Sequence, residues 1–256
     1  MRKSIGLTDT EITEDTLFDG QLYCLQHRHG YRFSIDPVLL AHFVRLGTAE
    51  RVLDLGAGCG VIGLILLHRH VESIKELIAL ELQKGLVRLI HKNSRVNHFN
   101  DRMRIVEGDL REIKKYVEPE SCSAVVCNPP FYQEDSGRRS SDRESEIARH
   151  QVACDLDDVL IAAAVSVKNR GKVYLIYPAE SLGILLGRAA NSQLIPKRLQ
   201  LVYSYPDESM AAKVFLLEAV KNGGAGMEVL PPLYIYECKN GPYTQPLQAF
   251  YRSNSF

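Results

Sequence analysis

Apolar residues in this chain form short runs that alternate between strand-like and helix-like patterns. Five runs are rich in aliphatic and β-branched residues and are too short for core helices; they cover residues 52–55, 77–80, 103–107, 124–127 and 172–177. Helical patterns lie around them, at residues 38–43, 61–67, 83–96, 155–167 and 181–190. Because continuous apolar runs are typical of strands buried on both faces, this alternation predicts an α/β fold.

Two further runs, at residues 199–205 and 213–220, alternate apolar and polar positions after the last of these helices. Such alternation favours strands that pair antiparallel at the edge of a sheet. The sequence therefore predicts a doubly wound, seven-stranded and mostly parallel sheet with an antiparallel edge hairpin. In open sheets of this kind, ligands bind outside the carboxyl ends of the strands.

The segment before the first buried strand contains a short helix at residues 38–43. Pro37 suits the first position of a helix, and Asp36 or Ser34 is the expected cap. Since this helix leads directly into the strand at 52–55, its start is expected near the carboxyl end of that strand. Phe33 and Asp36 are therefore candidates for the border of a ligand pocket.

Composition and charge exclude several classes of protein. The chain has 256 residues, of which 45% are hydrophobic, so it can bury one large core. Its net charge is zero, and any polyanion must therefore be bound by a local basic patch. Six cysteines show no zinc-ligand spacing, and the longest apolar run, residues 61–67, is too short to span a membrane. No metal and no membrane association are predicted, and the expected location is cytoplasmic.

A glycine-rich stretch follows the strand at residues 52–55. Its glycines occupy alternate positions, Gly56, Gly58 and Gly60, where they allow a tight turn and keep side chains away from a ligand. The spacing differs from the G-x-G-x-x-G pattern of dinucleotide-binding folds. With Asp54 before it and Ala57 within it, the stretch resembles the first motif of S-adenosylmethionine-dependent methyltransferases. This resemblance implies that these residues bind that cofactor.

An acidic residue ends the second buried strand. Glu81 lies 21 positions after Gly60, where folds of this kind accept hydrogen bonds from both hydroxyl groups of a ribose. The alternative is a surface acid that caps the next helix. Asp109 follows the third strand, at the place where methyltransferases commonly accept a hydrogen bond from the adenine amino group of the cofactor. By that resemblance, Asp109 is a further candidate for cofactor binding.

The tetrapeptide Asn128-Pro129-Pro130-Phe131 directly follows the fourth buried strand. Two prolines fix the backbone and remove two donors, so their carbonyl groups can only accept. An amide side chain and a proline carbonyl can together accept both hydrogens of one planar NH₂ group, which frees the nitrogen lone pair for attack. Phe131 offers a face on which an aromatic ring can stack.

These motifs together resemble the class I amino methyltransferases of the N-P-P-[FY] type. More narrowly, the chain is similar to the bacterial tRNA(Val) adenine-N6 methyltransferases, which modify the adenine beside the anticodon. The narrower similarity rests on residues 30–36, on Ala148-Arg149-His150, on residues 232–236 and on Tyr243-Thr244; Gln151 and Pro246 depart from the pattern. The resemblance implies a Rossmann-like fold, methyl transfer from S-adenosylmethionine to adenine N6 in tRNA, and Asn128 at both the cofactor and the catalytic site.

The expected domain organisation follows from the same motifs. Residues 1–20 are acidic, show little apolar periodicity and are predicted to be flexible. Residues 21–256 are predicted to form a single methyltransferase domain. Its cofactor half covers about residues 21–127, and its target half covers about residues 128–256.

The segment from residue 132 to residue 150 is polar and highly charged. It is predicted to be mobile without substrate and to contact RNA phosphates through four arginines and one histidine: Arg138, Arg139, Arg143, Arg149 and His150. The alternative is a loop whose charges are balanced by its own five acids. Arg28, His29 and Arg32 offer a second basic track.

Three other functions remain open at this point. Guanine N2 methylation of rRNA also uses Asn-Pro-Pro-Phe, but such enzymes usually carry a second, related domain. Methylation of a protein glutamine amide usually has tyrosine after the prolines and a helical N-terminal domain. A non-catalytic RNA-binding relative is the third alternative, against which the intact Asn128 and the three loop glycines argue.

Overall fold

A computed structural model describes residues 12–28, 33–48, 50–129, 155–207 and 209–253 of the chain. The strands in these residues are β1 (Ile12–Leu17), β2 (Leu22–His27), β3 (Glu50–Leu55), β4 (Ile74–Glu81), β5 (Met103–Glu107), β6 (Cys122–Cys127), β7 (Val167–Pro178), β8 (Leu194–Tyr203), β9 (Val214–Lys221), β10 (Glu228–Val229) and β11 (Leu233–Tyr234). The α-helices are α1 (Asp36–Phe43), α2 (Val61–Arg69), α3 (Lys84–Val96), α4 (Leu156–Ser166), α5 (Leu182–Asn191) and α6 (Gln245–Ala249).

Seven long strands form the body of the central sheet, in the order β8-β9-β7-β6-β3-β4-β5. Strands β3 to β7 pair in parallel, whereas β9 runs antiparallel to both of its neighbours, β7 and β8. The two-residue strands β10 and β11 add to the outer edge of β8. The predicted seven-stranded, mostly parallel sheet with an antiparallel edge hairpin is confirmed. In that hairpin, β8 is the outer strand and β9 lies between β8 and β7.

Helices cover both faces of this sheet and create two apolar cores. Helices α1, α2 and α3 pack on one face, and α4 and α5 pack on the other. Alternate residues of β3 show the division, because Val52 belongs to the first core while Leu53 and Leu55 belong to the second. Burial on both faces explains why these strands read as continuous apolar runs.

The N-terminal part of the chain differs from its prediction. Residues 12–17 form β1, which pairs antiparallel with β2, whereas the sequence predicted no strand within residues 1–20. The hairpin turn buries Phe18 completely against the core of the domain. The acidic residues of β1 gave no strand-like apolar pattern in the sequence. In the structure, one of them, Asp15, accepts a hydrogen bond from the buried amide of Gln26. Residues 1–11 lie outside the described residues.

Helix α1 begins at Asp36, one residue earlier than predicted, and Pro37 occupies its first turn as expected. Neither predicted cap residue is its N-cap. Ile35 takes that position without a side-chain hydrogen bond, and the Ser34 hydroxyl accepts from the backbone N–H of Asp36 at 3.2 Å. The helix is therefore oriented mainly by the burial of its apolar face.

The C-terminal segment returns to the N-terminal hairpin. The Ser253 hydroxyl donates to the Phe18 carbonyl at 2.9 Å, and the Ser253 backbone N–H donates to Asp19 at 3.1 Å. The Phe250 ring stacks on His42 of α1, with 4.0 Å between ring centroids. The two ends of the described chain thus hold each other on the same face of the sheet.

Within the described parts of the chain, the helices are all too short or too polar to cross a membrane. The same residues contain no cluster of three or more histidine, cysteine or acidic side chains that could hold a metal ion.

Candidate active site

The register of the sheet brings the predicted site residues to one edge. Leu55 of β3 pairs with Leu80 of β4 on one side and with Cys127 of β6 on the other. Parallel strands in register end together, so the residues that follow them, Gly56 and Asn128 among them, are neighbours at the carboxyl edge. Three motifs that are far apart in sequence therefore meet at one place.

The glycine-rich turn is held to β4 through its backbone. The N–H groups of Gly56 and Ala57 both donate to the Leu80 carbonyl, at 2.9 and 3.0 Å. Gly56 and Gly58 have φ values of +70° and +61°, which side chains other than glycine rarely adopt. A Cβ atom added to either would meet no atom within 4 Å, because both positions face open space.

Gly60 has a different task. It is the N-cap of α2 with φ of +86°, and an added Cβ would lie 3.2 Å from the Ile90 side chain of α3. Gly60 does not line the cavity described below. Its missing side chain allows α3 to pack closely against the start of α2.

We expect alanine substitutions to separate the packing role of Gly60 from the ligand-facing role of Gly58. Both variants incur left-handed backbone strain of about 1–2 kcal/mol, but only Gly60→Ala also crowds Ile90. Gly60→Ala should therefore lower the free energy of unfolding more than Gly58→Ala in chemical denaturation. Gly58→Ala should instead weaken binding of a ligand to the cavity, and equal stability losses would contradict this division.

Glu81 anchors the same turn from the end of β4. One carboxylate oxygen accepts from the Gly58 N–H at 2.9 Å, and the other accepts from the Gln83 N–H at 2.8 Å. Burial raises the pKa of Glu81 above its ordinary value, and the backbone N–H groups of Gln83, Gly58 and Leu82 limit the rise. Each oxygen keeps a lone pair, so the carboxylate can accept two further hydrogen bonds.

A cavity of about 480 Å³ opens at this edge of the sheet. Its polar and backbone wall consists of Ser34, Asp36, Gly56, Gly58, Glu81, Asp109 and Asn128, and its apolar wall includes Phe33, Ala57, Val61, Ile62, Leu80, Leu82, Leu86 and Pro129. The volume is in the range of small-molecule sites, and the combination of a large apolar wall with few polar groups is typical of them. Phe33 and Asp36 border the cavity, as the sequence predicted.

Asp54 lies beneath the turn and does not line the cavity. Its side chain is fully buried, and neither carboxylate oxygen makes a hydrogen bond of normal geometry with the described residues, although the Gly63 backbone N–H lies close to the carboxylate. Burial raises the pKa of Asp54 to about 7; the Gly63 backbone N–H opposes this rise and the charge of Glu81 adds to it. A carboxyl group in this position is neutral in the folded protein under mildly acidic conditions.

Replacing Asp54 with asparagine is expected to change how stability depends on pH. The raised pKa of the folded state means that wild-type stability is greatest when Asp54 is protonated in both states. Stability then falls by about 1.4 kcal/mol per pH unit between the ordinary value of 3.8 and about 7. The neutral amide removes this dependence, so denaturation at several pH values should show Asp54→Asn gaining on the wild type up to pH 7. A constant difference between the two proteins would contradict the assignment.

Asp109 lines the cavity, but its carboxylate already has a partner. Both oxygens contact the guanidinium of Arg111, and one also accepts from the Arg111 backbone N–H at 2.9 Å. The hydrogen-bonded guanidinium holds the pKa of Asp109 below its usual range. A ligand amino group at this position would therefore share the carboxylate with Arg111.

Asn128 and Pro129 complete the cavity beyond β6. They stand beside the glycine-rich turn because the preceding Cys127 pairs with Leu55 and donates its thiol hydrogen to the Leu55 carbonyl at 3.1 Å. The remaining predicted target-side residues lie outside the described residues: Pro130, Phe131, Arg138, Arg139, Arg143, Arg149 and His150.

Sequence reasoning missed most of the apolar wall. Val61 and Ile62 are the first residues of α2, and Leu86 lies in the first turn of α3. The sequence could have predicted that these residues lie near the cavity, since the first turn of a helix that follows a strand lies at the carboxyl edge of the sheet. Cys59 was also missed, and its Sγ lies 4.0 Å from that of Cys24 in the N-terminal hairpin.

Residues 35–145 match the family model described as the methyltransferase small domain. This range is somewhat less than half of the 256 residues, and it is similar to that domain. The matched range contains the glycine-rich turn, Glu81, Asp109 and Asn128, and thus most of the cavity.

Several curated relatives of this chain share a name. A protein of Shewanella halifaxensis called tRNA1(Val) (adenine(37)-N6)-methyltransferase is 29% identical over 62% of this chain and 62% of its own length. A protein of the same name from Dyadobacter fermentans is 25% identical over 84% of this chain and 88% of its own length. The match covers less than two thirds of the length of two of these relatives: 62% of the Shewanella protein and 65% of a protein from Tolumonas auensis.

Solved structures share the fold of most of the chain. A predicted O-methyltransferase from Agrobacterium tumefaciens matches with a TM-score of 0.67 and 20% identity, covering 86% of this chain and 96% of its own. A geranyl diphosphate methyltransferase in complex with SAM matches with a TM-score of 0.51 and 11% identity, over 72% of this chain and 84% of its own. Both support the class I methyltransferase architecture.

Proposed function

We propose that this protein transfers a methyl group from S-adenosylmethionine to the exocyclic N6 of an adenine near the anticodon of a tRNA. One observation carries the proposal: a single cavity is lined by the glycine-rich turn, by Glu81 and by Asn128-Pro129. A cofactor and a planar amine can therefore be bound side by side at one edge of the sheet.

The residues of the cavity fit S-adenosylmethionine. Gly56 and Gly58 leave open space where a ligand can lie against the backbone, and Glu81 keeps two free acceptor positions for ribose hydroxyls. The apolar wall formed by Leu82, Leu86 and their neighbours suits the flat faces of an adenine ring. Asp109 offers an acceptor for its amino group, and Phe33 and Asp36 close the opposite side.

The chemistry asks little of the protein beyond orientation. When bound, S-adenosylmethionine would supply a methyl group on a positively charged sulfur. The amine nitrogen would bond to the methyl carbon as the carbon–sulfur bond breaks, which leaves S-adenosylhomocysteine, and the nitrogen would then release one proton to solvent. Asn128 and the Pro129 carbonyl are proposed to accept the two amine hydrogens, which directs the nitrogen lone pair out of the ring plane. Phe131 is proposed to stack on the base. Holding the nucleophile in line is an entropic advantage that accounts for several kcal/mol of many barriers.

The target base is proposed from the relatives. The Shewanella and Dyadobacter proteins carry the name of tRNA adenine-N6 methyltransferases. The resemblance of residues 30–36 and 232–236 to the motifs of that family supports the same target. Because the protein has no net charge, its affinity for RNA is assigned to local cations. Arg138, Arg139, Arg143, Arg149 and His150 are proposed for this role. The chain is proposed to act as one domain in the cytoplasm, with residues 21–127 on the cofactor side and 128–256 on the target side.

The test is incubation of the protein with methyl-labelled S-adenosylmethionine and RNA that lacks modifications. Total tRNA, rRNA and a protein fraction should be offered separately, followed by digestion and mass spectrometry of the labelled products. Labelled N6-methyladenosine from tRNA alone is the expected result. An Asn128→Ala protein prepared in parallel controls for contaminating methyltransferases.

Other outcomes separate the alternatives. Labelled N2-methylguanosine from rRNA, or label in a protein glutamine, would replace the proposed target while keeping the reaction type. Binding of the cofactor without transfer to any of the three fractions would support a non-catalytic relative. Absence of cofactor binding in calorimetry would refute the whole proposal.

A further inference from the structure

The outer edge of β2 is paired with two asparagine side chains of α3. Asn97 accepts from the Tyr23 N–H at 2.9 Å and donates to the Tyr23 carbonyl at 2.7 Å. Asn93 accepts from the Leu25 N–H at 2.7 Å and donates to the Leu25 carbonyl at 3.0 Å. The spacing fits, because four residues of helix rise about 6 Å and two residues of strand extend about 6.6 Å. The helix thus takes the place of a neighbouring strand.

Asn93 makes one contact that Asn97 lacks. Its amide nitrogen also donates to the Cys59 carbonyl at 2.8 Å, within the glycine-rich turn that lines the cavity. The amide nitrogen of Asn97 instead donates its second hydrogen bond to the Asn93 carbonyl of its own helix, at 2.8 Å. Asn93 is fully buried, so loss of its bonds would leave polar backbone groups without solvent. One side chain therefore joins the hairpin, α3 and the turn.

The hairpin also contacts a second lining residue of the cavity, Phe33. Gln26, which is 3% exposed, accepts from the backbone N–H of Phe33 at 3.0 Å. The hairpin therefore contacts the cavity at the glycine-rich turn and at Phe33, although β1 and β2 contribute no residue to its lining. Movement of the hairpin would change the backbone on two sides of the ligand.

We propose that Asn93 is a positioning residue, which couples docking of the β1–β2 hairpin to the affinity of the glycine-rich turn for its ligand. This inference rests on the proposed binding of S-adenosylmethionine in the cavity. The Cys59 carbonyl, held by Asn93, fixes the turn so that Gly56 and Gly58 present their open faces. Coupling of this kind is reciprocal, so ligand in the cavity must also stabilise the docked hairpin.

The experiment compares Asn93→Ala with Asn97→Ala, using calorimetric titration with S-adenosylhomocysteine. Each variant removes one side-chain acceptor and two donor hydrogen bonds, and both should lower the melting temperature. Only Asn93→Ala releases the Cys59 carbonyl, so its Kd should rise about five- to tenfold, the factor for one hydrogen bond. In Asn97→Ala, Asn93 still holds the hairpin at Leu25 and the turn at the Cys59 carbonyl, so the Kd of this variant should stay within about twofold of the wild type. Equal shifts in both variants would overturn the proposal.

Amide hydrogen exchange of the wild-type protein provides a test that does not depend on the variants folding. Saturating S-adenosylhomocysteine should slow exchange of the Leu25 amide, which does not line the cavity but is bonded to Asn93. Unchanged exchange at Leu25 in a sample shown by calorimetry to be saturated would refute the coupling. Failure of the wild-type protein to bind at all would refute the proposed function instead.

Discussion

Replacing Asn128 with alanine is expected to lower kcat for methyl transfer by about 10²- to 10³-fold, the range observed when one preorganised polar group is removed from a reaction centre. The amide oxygen is proposed to accept a hydrogen of the target amine, and this interaction strengthens as the nitrogen gains positive charge. Interactions made mainly in the transition state change kcat rather than binding. The measurement is single-turnover transfer of labelled methyl to tRNA.

The affinity of Asn128→Ala for the cofactor is the control for this prediction. Asn128 occupies one corner of a cavity whose other walls remain intact, so calorimetry should give a Kd within about threefold of the wild type. A large loss of affinity with normal kcat would mean that Asn128 serves the cofactor and not the amine.

Replacing Glu81 with alanine should weaken cofactor binding and leave kcat nearly unchanged, which is the opposite of the result expected for Asn128→Ala. The variant loses the acceptor of the Gly58 and Gln83 N–H groups and the proposed acceptor of the ribose hydroxyls. Hydrogen bonds to a charged group contribute about 1.5–3 kcal/mol, so the Kd for S-adenosylmethionine should rise about 10- to 100-fold. Calorimetry measures this directly, and kcat at saturating cofactor should change little.

Glu81→Gln provides the matched variant for this position. The amide keeps one acceptor but turns its NH₂ group towards a backbone N–H, since both carboxylate oxygens accept such a group. Its affinity should therefore resemble that of the alanine variant, although the side chain has nearly the same shape. Glutamine with wild-type affinity would show that binding needs neither the charge nor the second acceptor of Glu81.

The central sheet could be predicted because its signals are local. The run at 103–107 coincides with β5, and the runs at 77–80 and 124–127 lie within β4 and β6. The hairpin strand β1 could not be predicted in this way. Its acid Asp15 is compensated by Gln26 on the paired strand, and the apolar and polar pattern of β1 alone does not record that pairing.

The site shows the same contrast. Gly56, Glu81 and Asn128 were predicted to line a pocket because each follows a buried strand, and all three do so. The closeness of Gly60 to Ile90 and the pairing of Asp109 with Arg111 depend on distances between side chains. Asn93 was read as part of a helix, since only the fold shows that it reaches the Cys59 carbonyl.

During synthesis, the β1–β2 hairpin emerges before the segments that hold it in place. Asn93 follows Leu25 by 68 positions, and Ser253 follows Phe18 by 235. Contacts between such distant positions form late because the intervening chain must first be ordered. A nascent chain that has been made only as far as β9 would contain every residue that lines the cavity, yet its hairpin would lack the C-terminal contact. We therefore expect ribosome-bound chains of that length to bind S-adenosylhomocysteine more weakly than the released protein.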